Sequence, residues 1–462
     1  MALRENAPKL DAERYEQNFA DIVPRMTPRQ AALESARCLY CFDAPCIQAC
    51  PTHIDVPSFI KKISSQNLRG SARVILQANI LGQSCGRVCP TEVLCEGACV
   101  MHEKGESPIE IGRLQRYAVD HVLDNNIQLL HAGAPNGRRV ACIGGGPASL
   151  ACAAELAQLG YRVTIFDRNE SPGGLNTYGI AAYKLRAADS LREIEMIRGL
   201  GVEFRQREEV GRGVTFAQLE KDFDAVFIGV GLGETWDLTL PGGELAGVRG
   251  AIEFIEETKT RCFADVEIGR RVACIGAGNT AIDVVTAARR LGAEMVHLIY
   301  RRGERDMPAF RYEYDLAKLD GVSFHWFTQP VRILGEAGRV SAIECAHTRF
   351  EPAAAGAKLK LVAIPGSEFT IPVDMVIGAI GQQPVTAVFR EVAGVELRTN
   401  GTIATNTNHQ TGNLKYFAAG DCVNGGKEVV DAVAEGKSAA RAMNAWLDAS
   451  LGGRPGAPRG NG

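Results

Sequence analysis

The chain has 462 residues, enough for about three domains of ordinary size. It is 46% hydrophobic and 23% charged, and 51 basic against 54 acidic residues leave a net charge of −3, so it carries no polybasic footprint for nucleic acid or an anionic membrane. Met1 to Gln30 lacks an apolar signal core, and the longest uncharged run, between Arg139 and Glu155, is too short and too glycine-rich to span a bilayer. A cytoplasmic protein with reduced thiols is expected, so its 14 cysteines are metal ligands, reactive thiols or small core residues rather than a disulfide framework.

The N-terminal third reads as helical. Thr27-Pro28-Arg29-Gln30 is a capping-box start with proline at the first helical position. Pro57 to Ser65 and Arg69 to Ala78 have helical periodicity. Eight cysteines fall in this region. Cys38, Cys41, Cys46 and Cys50 form C-x2-C-x4-C-x3-C-P, close to the bacterial ferredoxin run. Cys85, Cys89, Cys95 and Cys99 form C-x3-C-P-x4-C-x3-C. Thiolates two to four residues apart on tight loops can converge on a cuboidal cluster, and a distant cysteine completes each site. Structural zinc is the alternative, but it prefers paired C-x2-C knuckles and only one is present. Residues 1–125 are therefore expected to be an α-helical domain around two [4Fe–4S] clusters. Cys142, Cys152 and Cys274 lie in apolar runs and read as buried small hydrophobes.

A duplicated element follows. Arg139-Val-Ala-Cys-Ile-Gly144 recurs as Arg271-Val-Ala-Cys-Ile-Gly276. The first copy continues through Gly146, Pro147, Ala148 and Ser149 into a helix, and the second through Gly278, Asn279, Thr280 and Ala281. Each then returns to a β-branched strand. This is the dinucleotide fingerprint in its strand–turn–helix frame, with free helix N–H groups aimed at a pyrophosphate. The first returning strand ends at Asp167, suited to a ribose hydroxyl of FAD or NAD. The second ends at Tyr300-Arg301-Arg302, where arginines suit a 2′-phosphate or stack on adenine. Ala225 to Gly231 and Val376 to Gly381 are apolar strands ending in glycine, and Tyr416-Phe-Ala-Ala-Gly420-Asp421 places an acid after a strand. A helix-like run extends from about Glu428 to Leu447, and the tail Gly452 to Gly462 reads as disordered. The expected organisation is an FAD domain split into 126–250 and 375–462, with an NAD(P)H domain, 251–374, inserted. The fold class is α/β, an α-helical iron–sulfur domain followed by two Rossmann-like domains.

In this order the cysteine segment, G144-G-G-P-A-S, S171-P-G-G174-L175, G276-A-G-N-T-A-I-D283, Y300-R-R302 and F417-A-A-G-D421 resemble a known family. It is the flavin-dependent electron-input module shared by the glutamate synthase small subunit and dihydropyrimidine dehydrogenase. The stretch P108-I-E-I-G-R-L-Q115 resembles the dihydropyrimidine dehydrogenase branch. The resemblance implies one cluster on Cys38, Cys41, Cys46 and Cys99, and a second on Cys50, Cys89, Cys95 and Gln115, with Cys85 left without a cluster role. It further implies FAD contacts from Gly174, Leu175, Lys184, Gly381, Gly420 and Asp421. Ala181 and Lys184 depart from the family's usual proline and arginine. The implied activity is oxidation of NADH or NADPH through FAD and two [4Fe–4S] clusters. The implied partner is an FMN-containing subunit, in a hetero-oligomer, that reduces uracil or thymine to the 5,6-dihydro form. Glutamate synthase or a related NADPH:ferredoxin-type system is the alternative setting. No acid–base catalytic residue on this chain is needed for hydride transfer. A flavin disulfide reductase would need paired late cysteines, which are absent. A zinc-stabilised nucleotide-binding regulator is a third reading.

Overall fold

A computed structural model describes residues 6–352 and 359–450. The expected disordered tail, Gly452 to Gly462, lies outside the described residues. The chain divides into two units, each assembled from three separate stretches of sequence.

The larger unit comprises Val23–Thr177, Ala188–Leu232 and Pro384–Gly462. Its helical part opens at Pro28–Ala36. Both limbs of the capping box form: Gln30 N donates to Thr27 Oγ1 at 3.2 Å and Thr27 N to Gln30 Oε1 at 2.9 Å. Such a cap stabilises by about 1 kcal/mol. In the helix Val56–Ser64, Val56, Phe59, Ile60 and Ile63 recur at helical spacing and are all buried. They pack with Ala72, Ile75 and Leu76 of Leu68–Ala78 and Leu114, Ala118 and Val122 of Ile111–Asp124.

A five-stranded parallel sheet follows, in the order Tyr416–Ala418, Ala225–Ile228, Arg139–Ile143, Arg162–Asp167, Glu203–Gln206. Its central strands are buried on both faces, which is why they read as unbroken apolar runs. One face shares a continuous core with the helical part, running from Phe59 and Val119 through Val140, Cys142 and Leu150 to Met443. The long helix Val429–Ser450 lies so close to the helix Pro147–Gln158 that a Cβ on Gly436 would be 2.1 Å from the Ala148 carbonyl oxygen.

The smaller unit comprises Met1–Ile22, Tyr178–Ala187 and Gly233–Gln383. Its parallel sheet has the order Val248–Gly250, Met375–Gly378, Arg271–Ile275, Met295–Ile299, Ser323–His325. Here the structure differs from the sequence-based domain boundaries. The strand from Met375 pairs with the second glycine-turn strand (Val376 with Ala273), not with the first sheet. An apolar, glycine-ended run is equally suited to either parallel sheet, so sequence could not assign it. The first 22 residues also leave the cysteine domain. Ala7 N donates to Ile268 O at 2.9 Å, and the Phe19 and Phe263 rings stack at 4.0 Å. A second, antiparallel sheet is built on Thr328–Glu336 and Arg339–Pro352. They are joined through Ala337 and Gly338, both at positive φ (49° and 77°), which matches a tight hairpin turn to the twist of its strands.

Candidate cofactor sites

The eight N-terminal cysteines gather into two groups in the larger unit. Cys38, Cys41, Cys46 and Cys99 line one apolar pocket, with Val56, Ile60, Met101, Ile109 and Ile111 among its walls. Tyr40, held at φ 52°, turns the chain between Cys38 and Cys41. Pro45 starts the short helix that presents Cys46, and Cys99 precedes the turn Val100–Lys104. All four thiols are free. Burial raises Cys38, and burial together with the neighbouring sulfurs pushes Cys46 up to about 12. Four thiols converging in an apolar cavity are a poor arrangement by themselves, and they are the donor set that a cationic iron–sulfur cluster satisfies.

Cys50, Cys89 and Cys95 form the second group, and the structure adds Cys85 to it. The Cys89 thiol is raised by a hydrogen bond with Cys85 and by burial, with Cys95 and Cys50 adding to the effect. Burial also holds Cys95 well above its usual value. The turn between Cys95 and Cys99 needs glycine: a Cβ on Gly97 would be 2.1 Å from the Glu92 carbonyl oxygen. Glu96 Oε1 then accepts from Gly112 N at 2.9 Å, tying this turn to the helix of Gln115. Gln115 is buried, and its Nε2 donates to Gly82 O at 2.6 Å, one turn before Cys85. The sequence reading left Cys85 aside; the fold places its sulfur against Cys89.

The first glycine turn lies in the same unit. Gly144 has φ 89°, and a Cβ there would be 2.7 Å from Gly229 O. Gly146 caps the helix that begins at Pro147, and Ala148 follows. The Ser171-to-Leu175 loop packs directly on this turn. Gly173 N donates to Gly145 O at 2.8 Å, and a Cβ on Gly174 would be 2.9 Å from Gly146 Cα. Leu175 begins the short helix Leu175–Tyr178. Asp167 is buried and accepts from Gly145 N at 2.6 Å and Asn169 N at 2.7 Å. Burial raises its carboxyl despite those bonds. Gly420, at φ 78°, approaches Ala148 so closely that a Cβ would lie 2.9 Å from Ala148 Cβ. Asp421 begins the next helix, and burial pushes its carboxyl up to about 6. Ser149 Oγ is buried with no hydrogen-bond partner among the described residues. A cradle of glycines that side chains would fill is what a bound dinucleotide requires.

The second turn lies in the smaller unit. Gly276 has φ 131°, and a Cβ would be 2.3 Å from Ala379 O. Gly278 caps the helix Asn279–Leu291, and Asn279 Oδ1 accepts from Phe310 N at 3.1 Å. Thr280 stands half-buried in the first helical turn, where a backbone N–H can meet a phosphate. Arg301 and Arg302 are exposed, and neither has an acidic partner among the described residues. The Tyr300 hydroxyl instead donates to Asp306 O at 2.9 Å. Gly381 has φ 103°, beyond the end of the strand Met375–Gly378 in this unit.

Lys184 is held in a buried group of charges. Its Nζ is 2.6 Å from both Asp283 Oδ1 and Glu313 Oε1, all three side chains being buried. Burial alone would lower its pKa, but the two carboxylates reverse this and hold Lys184 above its usual value. An ammonium taken this far from water needs those partners. The Tyr183 hydroxyl donates to Asp283 at 3.0 Å, and burial raises Glu313. Sequence gave no signal for this group, because Asp283 and Glu313 fall on ordinary helical patterns. The His297–His325 pair, 3.0 Å apart across neighbouring strands, was likewise invisible.

Residues 15–127 match the family described as dihydropyrimidine dehydrogenase domain II, 4Fe-4S cluster. Residues 138–436 match pyridine nucleotide-disulphide oxidoreductase. The glutamate synthase [NADPH] small chain of Escherichia coli K12 is 36% identical, over 96% of this chain and 97% of its own length. The NAD-dependent dihydropyrimidine dehydrogenase subunit PreT of the same organism is 35% identical, over 94% and 98%. The Mycobacterium tuberculosis FprA structure in complex with NADPH shares the fold, with a TM-score of 0.56 at 19% identity over 68% of this chain and 86% of that one. With family matches covering both the cysteine segment and the glycine turns, this chain belongs to the pyridine nucleotide-disulphide oxidoreductase family and carries an N-terminal 4Fe-4S domain.

Proposed function

We propose that this chain is an electron-input subunit that oxidises NADH or NADPH and exports single electrons to a partner. The observation that carries this reading is the larger unit's pairing of a four-thiol pocket with a glycine turn that ends on Asp167. In it, Gly144, Gly146, Pro147 and Ala148 cradle the pyrophosphate of FAD. Asp167 takes a ribose hydroxyl, and Gly174, Leu175, Gly420 and Asp421 close around the flavin. Gly276, Gly278, Asn279 and Thr280 hold the nicotinamide nucleotide, and Arg301 and Arg302 reach its adenosine end. Cys38, Cys41, Cys46 and Cys99 hold one [4Fe–4S] cluster, and Cys50, Cys89, Cys95 and Gln115 the second. A flavin held there would accept one hydride, carrying an electron pair, and clusters held by the thiols would accept one electron at a time; that is the conversion the cofactors would supply. The chain's own work is to bind, to orient and to exclude water around the thiols.

The partner in this reading is an FMN-containing subunit that reduces uracil or thymine; the similarity to a dihydropyrimidine dehydrogenase subunit, PreT, and the match to a dihydropyrimidine dehydrogenase domain support it. The full-length similarity to the glutamate synthase small chain favours a second setting. The complex isolated from its host and assayed for uracil-dependent NAD(P)H oxidation separates them. Uracil-dependent turnover is expected. Turnover with glutamine plus 2-oxoglutarate, and none with uracil, would replace the first setting with the second.

A further inference from the structure

Phe327 is an aromatic residue that the core does not absorb. It follows the strand Ser323–His325 and takes φ 51°, a left-handed conformation that a bulky side chain rarely adopts. Trp326, the residue before it, packs into an aromatic cluster with Phe324 at 5.4 Å, Tyr314 at 5.9 Å and Tyr300 at 6.2 Å. Phe327 stays 40% exposed. Its ring meets Phe350 edge to face at 6.3 Å, and Phe350 is itself 38% exposed.

The backbone fixes this pair against the end of the second returning strand. Phe327 N donates to Arg302 O at 2.9 Å, and Thr328 N to Tyr300 O at 3.0 Å. From the strand of Phe350, Thr348 Oγ1 donates to Arg301 O at 2.7 Å and Thr348 N to Phe327 O at 2.8 Å. The Phe327 ring lies over the next residue of the arginine loop, where a Cβ on Gly303 would be 2.8 Å from its Cζ. Two exposed rings and two exposed arginines, the latter with no acidic partner among the described residues, thus share one place in the smaller unit. Arg301 and Phe327 both follow the carboxyl ends of parallel strands, the side on which open α/β sheets take nucleotides.

We propose that Phe327, with Phe350 beside it, is the platform on which the adenine ring of NADH or NADPH stacks. The proposal rests on the functional reading above and adds to it residues that take the base rather than the 2′-phosphate. Charge and shape choose the occupant together. Flat apolar rings match a planar base, and the neighbouring guanidinium groups match the phosphates that the same ligand carries. A left-handed phenylalanine costs conformational energy, and such costs persist at ligand clamps, where the position of the side chain matters more than its ease. Binding alone is involved, with no bond made or broken.

ADP-ribose is the probe, because it carries adenine and pyrophosphate but neither nicotinamide nor a 2′-phosphate. Its dissociation constant is measured by calorimetry on the intact, oxidised protein. In Phe327→Asn it is expected to rise about 10-fold, the effect of one lost base stack. KM for NADH and for NADPH should rise by that same factor with kcat unchanged, whereas loss of Arg301 and Arg302 acts on NADPH. Asparagine takes the left-handed conformation readily, so this variant should melt no lower than native and keep its flavin and iron. Phe327→Tyr, which keeps the ring, should restore native affinity. Unchanged ADP-ribose affinity in Phe327→Asn overturns the proposal. Should that variant not fold, Phe350→Ala decides: weaker ADP-ribose binding supports the platform, and native affinity overturns it. Native protein that neither binds ADP-ribose nor is reduced by NADH or NADPH would overturn the functional reading as well. Reduction by either nucleotide, with affinity independent of both rings, overturns the platform alone.

Discussion

The two glycine turns are the same device with different ends. Gly144 and Gly276 both take positive φ, and each presses against the carbonyl of an adjoining strand end, Gly229 or Ala379. Past the helix they diverge. The first returning strand ends on a buried carboxylate that already binds its own glycine turn. The second ends on two exposed arginines with no acidic partner among the described residues. In the proposed reading the frame would set where a pyrophosphate goes, and the strand end would select which dinucleotide is accepted.

Exchanging the glycines should break the comparison most severely. In Gly144→Ala the new Cβ meets the Gly229 oxygen, and the expected outcome is protein without bound flavin but with its iron retained. Gly276→Ala should keep the flavin spectrum and lose reduction by NAD(P)H. Flavin and iron content with anaerobic absorbance spectra check both. Arg301→Ala with Arg302→Ala should raise KM for NADPH by about 10- to 100-fold through lost charge-assisted bonds, and change NADH little. Steady-state kinetics with both nucleotides measure this, and an equal effect on both would remove the 2′-phosphate role.

A pH effect separates the two sheets more gently. Burial and the facing His325 lower His297 to about 4 in the parallel sheet of the smaller unit. Its neutral form is the one the fold accepts, so its contribution to stability is present above pH 6.5 and is lost as pH falls toward 4. His297→Asn should reduce that acid sensitivity by ~2 kcal/mol, read from denaturant melts at pH 7 and 5. Thr27→Ala should cost about 1 kcal/mol and leave both cofactors bound. Any loss of flavin or nucleotide binding in that variant would show the helical part and the turns to be more tightly linked than described.

Local chemistry was legible in the sequence, and long-range placement was not. The capping box at Thr27, both strand–turn–helix frames and the cysteine groups could be read because each is fixed within a few residues. The strand from Met375 was misassigned because its apolar run suits either sheet. The ion pairs of Lys184 were not legible because its partners lie 99 and 129 residues further along the chain, at Asp283 and Glu313, a relation that only the fold creates. Cys85 was set aside on resemblance, and the fold returns its sulfur to Cys89.

The most direct test of the account is the composition of the protein isolated without air. Iron and acid-labile sulfide sufficient for two cubane clusters, one FAD, and bleaching of the visible spectrum by NAD(P)H are expected together. Colourless protein, or zinc in place of iron, would contradict it.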